Sequence, residues 1–351
     1  MSIARSLLSP SIPRPEYWRR LTAILAAATA VVAFGGVAAP SALAANAGGN
    51  ATPPLIGIRV GNNPDNPSSM KALVKEGSLT ANWNDELSDV ESIAVASDPS
   101  NGPLIAAQTA NGDLMVKEAS LTAKWNDEWT GVMFGPNEFG VASDPANGPL
   151  IGIVADGGEA MVKEGSLTAS WNDELSGAEG IAVASDPANG PLIAVLTDSG
   201  ELMVKEGSLT AKWNDELSGV EEIAVASDPA NGPLIAALTD SGELMVKEGS
   251  LTAKWNDEHS GATDVVVASD PANGPLIGII NGGEAMVKEG SLTAKWNDEH
   301  SGASDIAVAS DPVKGPLIGI INGGEAMVKE GSLTAKWNDE HKDTVVVSVA
   351  G

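Results

Sequence analysis

Cysteine is absent from this 351-residue sequence, and aromatic residues make up only 4% of it, with one tyrosine and three phenylalanines. The first absence excludes disulfide bracing and thiolate chemistry, so the fold must hold by core burial alone. Positive charge is scarce too: 20 Lys and Arg face 47 Asp and Glu, a formal net charge of −27. A surface this negative repels phosphate backbones and anionic lipid heads, which excludes nucleic acid and membrane surfaces as partners. No Gly-x-Ser-x-Gly elbow is present, and beyond residue 44 there is one arginine, Arg59. Covalent catalysis therefore has no evident nucleophile.

The one long apolar run sits near the beginning. Arg5, Arg14, Arg19 and Arg20 precede Leu21 to Ala39, and the small-residue sequence Ala42-Leu43-Ala44 follows. That order predicts a secretory signal, residues 1–44, cleaved after Ala44, and hence a secreted protein with no membrane insertion after cleavage. A membrane anchor would need about twenty strongly apolar residues; this run is mostly Ala and Val and is broken by Gly35 and Gly36. The pair Arg19-Arg20 leaves the general and twin-arginine export routes both open. Removing the leader takes away four arginines and Glu16, leaving 16 basic against 46 acidic side chains.

What remains is dominated by a repeat. The motif Ala-Lys-Trp-Asn-Asp-Glu recurs with small changes, with tryptophans at Trp83, Trp125, Trp171, Trp213, Trp255, Trp296 and Trp337, spaced 42, 46, 42, 42, 41 and 41 residues apart. A period in the forties, with short strand-like runs and no helical periodicity, predicts propeller blades. One unit parses into four strands. Ile223–Ser227 is first, then the turn Asp228-Pro-Ala-Asn-Gly232, whose Asn-Gly is a strong hairpin signal. Pro233–Thr239 is an apolar second strand, Asp240-Ser-Gly242 a turn, Glu243–Glu248 the third strand and Ala253–Glu258 the fourth.

The two ends complete each other. Pro54–Val60 reads as a second strand without a first, and Thr344–Val349 as a first strand without a second. Their pairing closes the ring and removes its open edges. The expected architecture is all-β: after a linker at 45–53, residues 54–351 form a single seven-bladed β-propeller of four-stranded blades, read as a monomer. Two irregularities break the pattern: a longer turn, Gly61 to Pro67, and a four-residue insertion in Trp129 to Phe139.

Candidate binding residues follow from the repeat. Trp83-Asn84-Asp85, Trp125-Asn126-Asp127, Trp171-Asn172-Asp173, Trp213-Asn214-Asp215, Trp255-Asn256-Asp257, Trp296-Asn297-Asp298 and Trp337-Asn338-Asp339 each place an indole beside an amide and a carboxylate. An apolar platform flanked by convergent polar groups is what a sugar ring needs. The other reading has Trp packing between blades, Asn and Asp shaping a turn and the following Glu solvated. The Asp-Pro-x-Asn-Gly segments at Asp98, Asp144, Asp186, Asp228 and Asp270, with the variant at Asp311, read as turns, since calcium loops need alternating carboxylates. Lys205-Glu206 and its equivalents read as a solvated strand end, because adjacent strand residues point to opposite faces. His259, His300 and His341 occupy a position held elsewhere by Leu and read as half-buried repeat variants. No metal-ligand spacing and no cofactor motif is present.

The unit resembles the tectonin and tachylectin type of propeller lectin in Ile223-Ala-Val-Ala, Asp240-Ser-Gly-Glu-Leu-Met-Val and Gly249 through Trp255. That resemblance implies strand rhythm and a recognition role; those rings carry fewer blades, and no sugar-binding residue transfers by position. The functional expectation is a secreted, non-enzymatic, multivalent carbohydrate-binding propeller with glycans or polysaccharide as partners. The alternatives are a scaffold that uses its acidic rim against a basic protein, and a hydrolase or lyase. The last requires a polar cluster on the axis that breaks the repeat, and the sequence displays none.

Overall fold

The computed structural model describes residues 53–61, 69–98, 100–133, 138–311 and 313–351. The expected leader, residues 1–44, lies outside these, as do most of the Gly61–Pro67 turn and residues 134–137 of the insertion. Within the described residues the chain forms seven four-stranded antiparallel sheets arranged as a seven-bladed propeller. We number the blades from the N-terminus and their strands from the axis outward. Blades 2 to 7 run Val90–Thr130, Phe139–Ser176, Ala178–Ser218, Val220–Ser260, Ala262–Ser301 and Ala303–Lys342. Blade 1 joins the two ends of the fold: Thr344–Ala350 is its first strand and Leu55–Val60 its second, in antiparallel register from Leu55 opposite Ala350 to Val60 opposite Thr344. The expected closure and blade number are both observed.

Blade 5 shows why the strands fall where they do. Its first strand, Val220–Asp228, is buried along nearly its whole length, and Gly232–Thr239, the second, is apolar on both faces. A strand packed between neighbouring blades has no solvent face and loses the usual alternation. First strands lie against the first strands of adjacent blades, which makes them the innermost layer. Between them, Gly232 takes φ 76° in the Asn-Gly turn, the left-handed conformation that a side chain disfavours. The third strand is Glu243–Glu248, as expected. The fourth is Asn256–Ser260, not Ala253–Glu258: Trp255 precedes it, and a slip in register between Leu244 and Met245 sets its pairing.

Blade-to-blade packing needs small residues at one position of the second strand. A Cβ added to Gly152 would stand 2.8 Å from Val183 Cγ1 of the next blade, and one on Gly57 2.8 Å from Val95 Cγ1. Ala106, Ala194 and Ala236 take the same place elsewhere, so the strand admits nothing larger than a methyl group there.

The outer part of each joint is held differently. Lys205 of the third strand in blade 4 reaches into blade 3, where its ammonium pairs with Glu174 of the fourth strand. The pair repeats around the whole ring: Lys75–Glu340, Lys117–Glu86, Lys163–Glu128, Lys247–Glu216, Lys288–Glu258 and Lys329–Glu299. These side chains are 1–6% exposed. Both sequence expectations for them are therefore corrected: the lysine is no solvated strand end, and the glutamate of Trp-Asn-Asp-Glu is not solvated. Each lysine also donates to the carbonyl four residues on, at 2.6 Å from Lys247 to Leu251 and 3.0 Å from Lys163 to Leu167.

A second set of links runs near the axis. Asp186 Oδ1 accepts the N–H groups of Ala188 and Asn189 at 2.9 and 2.8 Å, which confirms the turn reading. Its Oδ2 accepts the hydroxyl of Ser227 from the next blade. Asp144, Asp228 and Asp270 do the same with Ser185, Ser269 and Ser310. The aspartates are buried, at 0% exposure in Asp144, Asp186, Asp228 and Asp270.

Removing one partner of a buried pair strands the other charge in a low-dielectric joint, which costs about 3–5 kcal/mol. Lys205→Ala is accordingly expected to lower the urea-unfolding free energy by about that amount, whereas Lys212→Ala, an exposed lysine, shifts it by less than about 0.5 kcal/mol.

Candidate functional site

Each repeated tryptophan sits at a joint rather than on an open face. Trp213 packs against the core shared by blades 3 to 5, and its indole N–H donates to the Glu174 carbonyl of blade 3 at 3.2 Å. Trp125, Trp171, Trp255 and Trp296 make the same bond to Glu86, Glu128, Glu216 and Glu258 at 3.0–3.3 Å. In every blade the buried lysine lies over the indole, 4.8–5.0 Å from the ring centroid, from Lys75 over Trp83 to Lys329 over Trp337. A desolvated ammonium over an indole contributes about 2 kcal/mol. One face of every ring, and one edge of these five, are thereby committed to the fold, yet all seven tryptophans stay half-buried.

The two residues that follow are exposed. Asn84, Asn126, Asn172, Asn214, Asn256, Asn297 and Asn338 each donate through Nδ2 to a carbonyl of the third strand at 3.3 Å. The aspartates Asp85, Asp127, Asp173, Asp215, Asp257, Asp298 and Asp339 are exposed as well, and Asp85 pairs with Lys71 at 2.7 Å. The motif thus divides at each joint: the ring packs, and the Asn and Asp that follow it are exposed.

The residue after the motif touches the next blade's indole. His259, His300 and His341 stand edge-on to Trp296, Trp337 and Trp83, with centroids 5.5–6.2 Å apart. They are half-buried, as expected. In blade 2 the same position holds Trp129, edge-on to Trp171 at 5.6 Å.

The axis carries what the sequence reading missed. At the leading ends of the innermost strands, equivalent positions hold Ser92, Glu138, Gly180, Glu222, Asp264, Asp305 and Val346, so the repeat is broken there. Several of these groups cap free backbone on an adjacent blade: Asp305 Oδ2 accepts Val347 N–H at 2.9 Å, and Glu222 accepts from Val265. Burial pushes the Glu138 carboxyl up to about 8, with the charge of Glu91 adding to it, and pushes Asp264 to about 6. Glu222 and Asp305 are likewise raised by burial and by the charge of Asp264. Beside them, Arg59 is 2% exposed, donates from Nε to Val90 O at 3.1 Å and lies 3.5 Å from Glu91. Gln108, fully buried, donates to Met133 O at 2.8 Å. Where Arg59 and Gln108 stand, other blades have Val154, Leu196, Leu238, Ile280 and Ile321. Aligning the seven units position by position is the signal that finds these residues. Among the described residues no group of three or more acidic or histidine side chains is placed to hold a metal ion.

A carboxyl whose folded pKa is raised stabilises the fold fully below its unfolded value, and that stability drains away as pH climbs through the folded value. The melting temperature is therefore expected to fall between pH 4.5 and 8. Glu138→Gln, which stays neutral, should flatten that slope in a pH series of thermal melts.

No family model and no curated protein matches the chain. Solved structures do. The chain is similar to the BP39L lectin from Burkholderia pseudomallei, with TM-score 0.56 at 16% identity over 79% of this chain and 93% of that one. It is similar to puromycin hydrolase, with TM-score 0.50 at 13% identity over 91% of this chain and 57% of that one. TolB from Acinetobacter baumannii follows at TM-score 0.48 and 10% identity, covering 84% of this chain and 66% of that one. At these identities the likeness is one of fold: the chain is a seven-bladed β-propeller, an architecture shared by a lectin and a hydrolase.

Proposed function

We propose that the protein is a secreted, non-enzymatic, multivalent carbohydrate-binding propeller. The observation that carries this reading is the recurrence, at all seven joints, of a half-buried indole followed in sequence by an exposed Asn and an exposed Asp. A sugar presents an apolar C–H face and a fringe of hydroxyls, and a rigid indole with acceptors at its rim matches both. The fold-level likeness to a lectin supports it, as does the tectonin and tachylectin resemblance in the strand rhythm. Single sites of this shallow kind bind weakly, but seven on one rigid ring engage a polysaccharide together and gain avidity by effective concentration.

The deciding experiment is a glycan array and polysaccharide pull-down with wild type beside Asp215→Ala/Asp257→Ala/Asp298→Ala. These carboxylates are exposed, so the variant folds, as circular dichroism would verify. Wild type is expected to bind and the variant to lose at least tenfold in avidity. Absence of binding to every glycan sinks the reading.

The axial cluster favours a second reading, a hydrolase or lyase, because it supplies the repeat-breaking polar group such chemistry needs: Arg59, Glu91 and the raised acid Glu138. That reading expects turnover of a chromogenic ester or glycoside panel, lost in Glu138→Gln. Equal rates in both proteins dispose of it.

A further inference from the structure

The seven joints are not equivalent. The residue after Trp-Asn-Asp-Glu is Leu87, Leu175 or Leu217 in three blades and His259, His300 or His341 in three more; blade 2 alone has Trp129. Trp129 meets Trp171 of blade 3 with centroids 5.6 Å apart and planes at 72°, and both rings are half-buried. A solvent-open hollow of about 390 Å3 lies here, lined by Asp127, Glu128, Trp129 and Thr130. Glu128 is already spent on Lys163. Asp127 and Thr130, both exposed, are left to bond a ligand.

We propose that the outer strand of blade 2, at its joint with blade 3, is the primary saccharide site, taking one pyranose ring with its C–H face against the Trp129 indole and its hydroxyls on Asp127 and Thr130. The proposal rests on the carbohydrate reading above. Trp171 packs edge-on against Trp129 and steadies that ring, and an indole in place of Leu or His raises the apolar area a sugar can cover. The other joints offer one indole and the edge of a Leu or His.

Its flank is also fixed in advance. Directly after Thr130 the chain enters the four-residue insertion, and the first residues of that segment are pinned: Gln108 Nε2 donates to the Val132 and Met133 carbonyls at 3.3 and 2.8 Å, and Met133 N–H donates to Val154 O at 2.9 Å. Val132 also bridges Ala155. Gln108 replaces an apolar residue of five blades; in blade 1 Arg59 stands at its position and bonds Val90 O at 3.1 Å.

Isothermal titration with methyl glycosides of glucose, galactose, mannose and N-acetylglucosamine tests this, comparing wild type with Trp129→Leu. Leucine is the residue of three sibling blades; Trp129→His, as in three others, serves should the first variant not fold. Wild type is expected to show one site at least tenfold tighter than the rest. Trp129→Leu should lose that site while keeping the weaker class and the melting temperature. One uniform class in wild type, or unchanged affinity in Trp129→Leu, overturns the proposal and leaves the carbohydrate reading standing. No heat with any glycoside, together with an empty glycan array, removes both.

Discussion

A propeller has no single core; it has as many cores as joints, and each joint must close for the ring to close. Here the outer half of every joint depends on a lysine and a glutamate from different blades, paired out of contact with water and covered by an indole. An ion pair in such a place is rarely more stabilising than a well-packed apolar substitute, but its two halves tolerate no other arrangement. The lysine satisfies a carboxylate, a carbonyl and a π-face at once, and this fixes how far apart neighbouring blades stand and in what register. The position of each tryptophan, and so of the exposed Asn and Asp beside it, is a consequence of that bond.

Much of this was legible in the residues. Tryptophan spacing marked the blades, Asn-Gly marked the inner turns, and the orphan strands Pro54–Val60 and Thr344–Val349 announced their pairing. The ion-pair ring was not legible, for a physical reason. Lys205 and Glu174 are separated by 31 residues and meet only once two complete blades lie side by side. Along the chain each looks like an ordinary charged residue at the end of a strand. Burial of a charge is decided by its partner, and the partner belongs to the previous repeat. The fourth strand was misplaced for a related reason: the slip beside Met245 is set by pairing across the sheet and leaves no mark in the local residues.

The axial residues escaped notice because a repeat invites averaging. Glu138, Glu222, Asp264 and Asp305 each look like a tolerated variant at a surface position when read alone. Stacked at one level of the innermost strands, they become a band of acids withdrawn from water, of which Glu222 and Asp305 cap backbone on the next blade. Trp129 is the same lesson at the outer rim. Departures from a repeat are where a symmetric ring acquires a distinguishable side.

The split blade also governs how the molecule comes into being. Leu55–Val60 leaves the ribosome before the six intervening blades, and its inner partner, Thr344–Ala350, after them. At ordinary elongation rates of about 5–20 residues per second, the interval between them is roughly 15–60 s. Through that interval six blades can assemble in order against their predecessors while the first retains an unpaired edge. Until Thr344–Ala350 emerges, the nascent chain is thus an open arc with one sticky rim.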